Sequence, residues 1–235
     1  MKYEHDYEVG NSARAASHVV GVLLKLLGPV QSIVDVGGGT GAWCQQFQSQ
    51  GVSRVRCLDH VSAAGALLID QKDFTAVDLF HDSPAPVLSE IAMSLEVGEH
   101  LPPHRADWLV DYLTQCASTV IFSAAVPGQG GHRHINEQWP VYWQERFQKR
   151  GYLQYDIVRP LIVREEEIPF WYRTNLFIYS RDAQRWANPT PFLPSTILPV
   201  HEHVLKNLQN PTLKQTLRRL PLAVAEFLRH RFHRN

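Results

Sequence analysis

The segment "SLEVGEHLPP", Ser94 to Pro103, packs two carboxylates and an imidazole, Glu96, Glu99 and His100, into five positions directly after an apolar run. Two acids this close repel each other and raise at least one pKa unless a cation sits with them. Glu96 and Glu99 are three residues apart, so a turn after a strand brings both to one side. Carboxylates combined with imidazole suit Mg, Mn, Fe or Zn. The bland reading also stands: Glu96 contacts a cofactor amino group, Glu99 caps the next helix, and His100 is a packed histidine bonded to backbone.

A second group with chemical meaning is "VDVGGGTG", Val34 to Gly41. An apolar run ends in Asp35, and Gly37, Gly38, Gly39 and Gly41 let backbone approach a ligand at the start of a helix. A nicotinamide or flavin enzyme can carry the same turn. Asp59 closes the next apolar run about twenty residues on, where a carboxylate accepts from ribose hydroxyls. Asp78 closes a third and is placed to accept from an adenine amino group. Each acid alone reads equally well as a helix cap or turn residue. Three in register at the carboxyl ends of neighbouring strands favour a nucleotide-like ligand.

The elements that must position these groups follow from periodicity. Residues 12–27 predict a helix with Ser12 as its cap and Gly28-Pro29 as its stop. Strands are expected at 32–36, 55–60, 74–80, 91–97 and 118–126, with helices to about Gln50 and over 103–117. A helix over 137–151 then leads to strand-like "YLQYDIVR" and "TNLFIYS". This alternation predicts an α/β fold: a doubly wound, Rossmann-like, mostly parallel seven-stranded sheet with an antiparallel edge. Residues 1–181 form that domain. Residues 182–235 read as a proline-containing linker and a basic amphipathic helical extension.

Composition narrows the classes. The chain has 235 residues and equal numbers of basic and acidic groups, 23 of each, so no nucleic-acid partner is expected. The tail from Lys206 is locally basic. It reads as an intramolecular or oligomer contact, with peripheral attachment to an anionic membrane as the alternative. Three widely spaced cysteines fit a reduced compartment better than a disulfide framework. The polar amino terminus lacks the apolar core of a signal peptide, and no run reaches the length of a membrane span. The chain therefore reads as cytoplasmic.

Taken in order, "VDVGGGTGAW", "LDH", "VDLF", "SLEVGEHLPP", "FSAAVPGQGGHRHINEQWPVYW", "RGY" and "WYRTNLFIY" resemble the class I S-adenosylmethionine-dependent methyltransferases. More narrowly, they are similar to bacterial members found among polysaccharide and secondary-metabolite genes. The resemblance runs from about Ser12 to Tyr179. It departs before the fourth strand, where Ser89 and Glu90 replace a common Phe-Asp pair. It implies that Asp35 and the Gly37–Gly41 turn face the methionine part of S-adenosyl-L-methionine. Asp59 and His60 would hold the ribose, Asp78 and Leu79 the adenine, and Ser94 and Leu95 would lie opposite the methyl donor.

The pattern E-x-x-E-H followed by a later histidine also resembles the metal site of small-RNA 3′-terminal 2′-O-methyltransferases. It is similar in part to that of ubiquinone-biosynthesis O-methyltransferases. Carried over, it makes Glu96, Glu99, His100 and His134 ligands of a divalent metal, with His100 and His134 also the catalytic histidines. The implied reaction is O-methylation of a hydroxyl on a small molecule or glycan, of sugar type or a natural product. Without metal, His134 is the candidate base of a nitrogen or carboxylate methyltransferase. A catalytically silent subunit that binds S-adenosylmethionine is a third reading. Gln138 and Trp139, with Tyr142 nearby, are candidates to bond and stack on a sugar-like acceptor, and Arg173 to meet an anionic group.

Overall fold

A computed structural model describes residues 3–183 and Lys206. The expected extension over 182–235 lies, but for Asp182, Ala183 and Lys206, outside the described residues. Seven strands form one sheet: β1 (Ser32–Val36), β2 (Arg54–Asp59), β3 (Phe74–Ala76), β4 (Ile91–Leu95), β5 (Thr119–Ser123), β6 (Leu153–Tyr155) and β7 (Phe177–Ser180). Their order is β3-β2-β1-β4-β5-β7-β6. The first five pair in parallel, and β7 runs antiparallel to both β5 and β6. This is the doubly wound sheet with an antiparallel edge that the alternation of elements predicts.

Burial explains the strand sequences. β1, β4 and β5 are covered on both faces, so every residue in them is buried and they read as continuous apolar runs. One face is covered by α1 (Tyr3–Leu27) and α2 (Ala42–Ser49). There Val19, Leu23, Trp43 and Phe47 pack on Ile33 and Met93. The other face is covered by α3 (Ala106–Cys116) and α4 (Pro140–Gln148), with Leu109, Leu113, Trp143 and Phe147 against Val34, Val120 and Phe122. Two short helices, α5 (Arg159–Ile162) and α6 (Phe170–Asn175), connect β6 to β7. All three cysteines are free and buried.

Three local expectations change. Ser12 does not cap a helix, because α1 is already helical from Tyr3; its hydroxyl instead lies 3.2 Å from that of Tyr172. The third strand ends at Ala76 rather than near Phe80. The Asp78 carboxylate accepts from Phe80 N–H, and the Asp78 N–H donates to Asp82, so the chain turns there. The fourth strand ends at Leu95 rather than Val97, because Glu96 adopts φ 56°, which leaves the extended region. Among the described residues no helix is long and apolar enough to cross a membrane.

Candidate functional site

The loops after β1, β2, β3, β4 and β5 leave the sheet at one edge and enclose a cleft of ≈ 1260 Å³. α1 and α6 complete it through Asn11, Ser12, Phe170, Trp171 and Tyr172. The sequence candidates divide around this space. Asp35, Gly37, Gly38, Gly39, Asp59, His60, Asp78 and Leu79 line one part, and Leu95, Glu96, Glu99, His100 and His134 another. Gly41 caps α2 and Ser94 is fully buried, and both stand behind the cleft wall.

On the first side, local bonds shape the acids. Asp59 accepts from Gly39 N–H at 2.7 Å and from His60 N–H at 2.6 Å, which pins the glycine turn to the end of β2. Asp78 sits 2.8 Å from His81 Nδ1; this bond and the one from Phe80 N–H hold its carboxyl below the usual range. Asp35 differs. It is buried under the turn, and its Oδ2 has no hydrogen-bond partner. Burial, with the charge of Asp59 adding, pushes its carboxyl up to about 8. Gly37 is required here: its φ is 80°, and a Cβ would overlap the side chain of Val97.

The second side is built from two loops sewn together. The Glu99 carbonyl accepts from Ile135 N–H at 2.8 Å and from Asn136 N–H at 2.9 Å. The Glu96 N–H donates to the Ser123 carbonyl at 3.0 Å. These bonds bring the segment after β5 over the acids after β4, as the sequence reading requires. Glu99, His100 and His134 each offer a ligand atom, all within 4.8 Å of one another, and form the one such cluster among the described residues. The two imidazoles meet edge to face with centroids 4.9 Å apart. Glu99 is 0 % exposed and neither carboxylate oxygen has a hydrogen-bond partner. Burial, with Glu96 adding, holds its pKa well above the carboxylate range. Burial, with the charge of His134 adding, takes His100 down to about 4.

Glu96 stands outside this three-residue cluster. Its Oε2 accepts from Gln129 Nε2 at 2.7 Å, and Asn175 Nδ2 lies 3.4 Å from its Oε1. Burial raises its pKa, and the bonds from Gln129, Ser123 and Asn175 partly reverse that. Gln129 and Asn175 were not visible as site residues, since nothing local in the sequence joins them to Glu96. Glu137 was missed too. Its carboxylate accepts from Gly128 N–H at 2.9 Å and Gly130 N–H at 2.8 Å, and lies 3.1 Å from His134 Nδ1. Burial opposes its charge, but these bonds outweigh burial and keep its pKa low.

The four residues expected at the acceptor do not line the cleft. Gln138 bonds to Asn136 Oδ1 at 2.9 Å, and Trp139 precedes α4 at the surface. Tyr142 lies under the Arg146 guanidinium, 3.5 Å from its ring centroid, and Arg173 reaches the Val163 carbonyl. Pro140 opens α4, so Tyr142 lies on that helix, while Arg173 lies in α6. The aromatic wall of the cleft comes instead from α6.

No protein-family model matches the chain, and no curated protein matches it by sequence. Similar solved structures are found at low identity. TnmH superposes with a TM-score of 0.52 at 14% identity, over 74% of this chain and 57% of that one. An O-methyltransferase family protein from Burkholderia thailandensis gives 0.52 at 13%, over 75% and 59%. The pyocyanin biosynthetic protein PhzM gives 0.52 at 16%, over 72% and 55%. The matched region is thus less than three fifths of each of these proteins. At such identities the likeness is one of fold, a Rossmann-like α/β sheet.

Proposed function

We propose that the chain is an S-adenosylmethionine-dependent O-methyltransferase, assisted by a divalent cation, that methylates a hydroxyl of a small molecule or glycan. The carrying observation is Glu99: both oxygens are buried without partners, beside His100 and His134, in the same cleft as the glycine turn. A buried carboxylate without a counter-charge is costly, and a cation removes that cost. Glu99, His100 and His134 would hold the ion, with Glu96 adjacent as a reserve ligand. Such an ion would lower the pKa of a coordinated hydroxyl. S-adenosylmethionine would supply an electrophilic methyl group, with Asp59 facing its ribose and Asp78 its adenine.

The rest of the work falls to the chain. The loop after β5 holds its histidine over the acids, while Phe170, Trp171 and Tyr172 exclude water and give a flat acceptor an apolar wall. Much of the rate would come from positioning. The solved structures named above support this reading through their fold, and one of them is an O-methyltransferase family protein.

A second reading is favoured by the His134–Glu137 pair, which also suits a metal-free base taking a proton from the acceptor. Calorimetry with S-adenosylmethionine, followed by titration of Mg²⁺, Mn²⁺ and EDTA into a thermal-shift and methyl-transfer assay, separates them. Cofactor binding with activity indifferent to EDTA would leave only the base. No cofactor binding would sink both.

A further inference from the structure

Outside the cluster itself, the most elaborate local construction is the hairpin of loop from Gly128 to Glu137. Gly128 (φ 90°) and Gly130 (φ 73°) turn their backbone N–H groups onto the Glu137 carboxylate. The same carboxylate, through Oε1, lies against His134 Nδ1. Gly131, at φ 149°, has the imidazole of His134 where a side chain would otherwise be. The loop thus commits three glycines and a half-buried acid to the orientation of one ring.

We infer that Glu137 is a positioning residue: it holds His134 as the Nδ1–H tautomer, so that coordination beside Glu99 and His100 runs through Nε2. The inference rests on the metal-assisted reading above. A neutral imidazole carries one proton, and the nitrogen that donates to a carboxylate cannot also ligate. An acceptor at Nδ1 therefore decides which nitrogen can bind an ion and keeps the ring from rotating away. It also makes the ligating nitrogen more basic. Loss of such a partner typically weakens metal binding about 10–100-fold.

The test uses Co²⁺ as a spectroscopic probe on the full chain, comparing wild type, Glu137→Gln and Glu137→Asp. Visible absorption reports coordination, calorimetry reports affinity, and thermal unfolding without metal reports the structural cost. The expected result is Co²⁺ binding weakened about 10–100-fold in E137Q with an altered spectrum, and partly restored in E137D. E137Q binding Co²⁺ as tightly as wild type, with the same spectrum, would overturn the inference while leaving the metal site standing. Failure of the wild type to bind Co²⁺, Mn²⁺ or Zn²⁺ would instead remove the reading beneath it. Should E137Q not fold, nitrogen-15 spectra of the wild-type histidine rings decide the matter. His134 protonated at Nδ1 supports the assignment, and protonation at Nε2 overturns it.

Discussion

The two halves of the cleft treat their acids in opposite ways. Around β1, β2 and β3, Asp59 is satisfied by the N–H groups of Gly39 and His60, and Asp78 by that of Phe80 and by His81. That geometry forms whether or not a ligand arrives. Around β4 and β5, Glu99 is buried beside His100 and His134 with both oxygens lacking a hydrogen-bond partner, and Glu96 leans on amides from distant segments. The first half is a preformed cradle. The second carries an unmet electrostatic demand, which is the usual mark of a site that sacrifices stability for chemistry.

The sharpest way to break this contrast is at Gly131. Gly131→Ala places a methyl group against the His134 ring and strains a backbone that favours glycine. Methyl transfer should fall at least about a hundredfold, as misplacement by an ångström can cost that much, while cofactor affinity measured by calorimetry stays near wild type. Equal loss of both would show that the halves are not separable.

Next in size is Glu99→Gln. It removes the buried charge demand, so unfolding without metal should be unchanged or shifted toward stability by about 1–2 kcal/mol. Mn²⁺ should raise the unfolding temperature of the wild type and leave that of Glu99→Gln unchanged. A metal-independent loss of stability would mean that Glu99 has a partner the cluster does not reveal.

On the cradle side, Asp35 is the exception, and pH exposes it. Its folded pKa, near 8, lies above its ordinary value of 3.8, so the proton it binds favours the folded state. That stability is fully present below about pH 4 and is lost as pH rises through 8. His100 has the opposite sign: depressed from 6.5 to about 4, it contributes stability above pH 6.5 that is lost as pH falls toward 4. The two slopes oppose each other in the acidic range, leaving the Asp35 slope visible between about pH 6.5 and 8. Its size there is at most about 1.4 kcal/mol per pH unit for one proton. Raised carboxyls at Glu96 and Glu99 add in the same direction. Denaturant melts of wild type and Asp35→Asn across that window should differ by this single-proton slope, and identical slopes would place Asp35 in water.

The smallest effect is expected at Trp139. Trp139→Ala, outside the cleft and 40 % exposed, should leave stability within about 0.5 kcal/mol and the Michaelis constant for acceptor unchanged. A raised Michaelis constant would extend the second half of the cleft out to α4.

How far the sequence reveals this arrangement follows the range of the interactions. The strand–glycine–helix unit and the three acids are legible because each is specified by neighbours in the chain. The meeting of His134 with Glu99 and His100 is legible only through topology, since β4 and β5 must be adjacent for their loops to touch. Glu137 sits three residues from His134, yet its part depends on a loop that folds back through Gly128 and Gly130. The amides of Gln129 and Asn175 reach Glu96 across 33 and 79 positions, a distance at which no periodicity speaks. Strand ends were misjudged where a polar side chain competes for the backbone, as Asp78 does after β3.

Gly37 and Val97 form a mechanical joint between the halves. With no side chain on the glycine turn, the valine that follows Glu96 rests directly on it. Any displacement of the turn is therefore handed by steric contact to the segment bearing both glutamates.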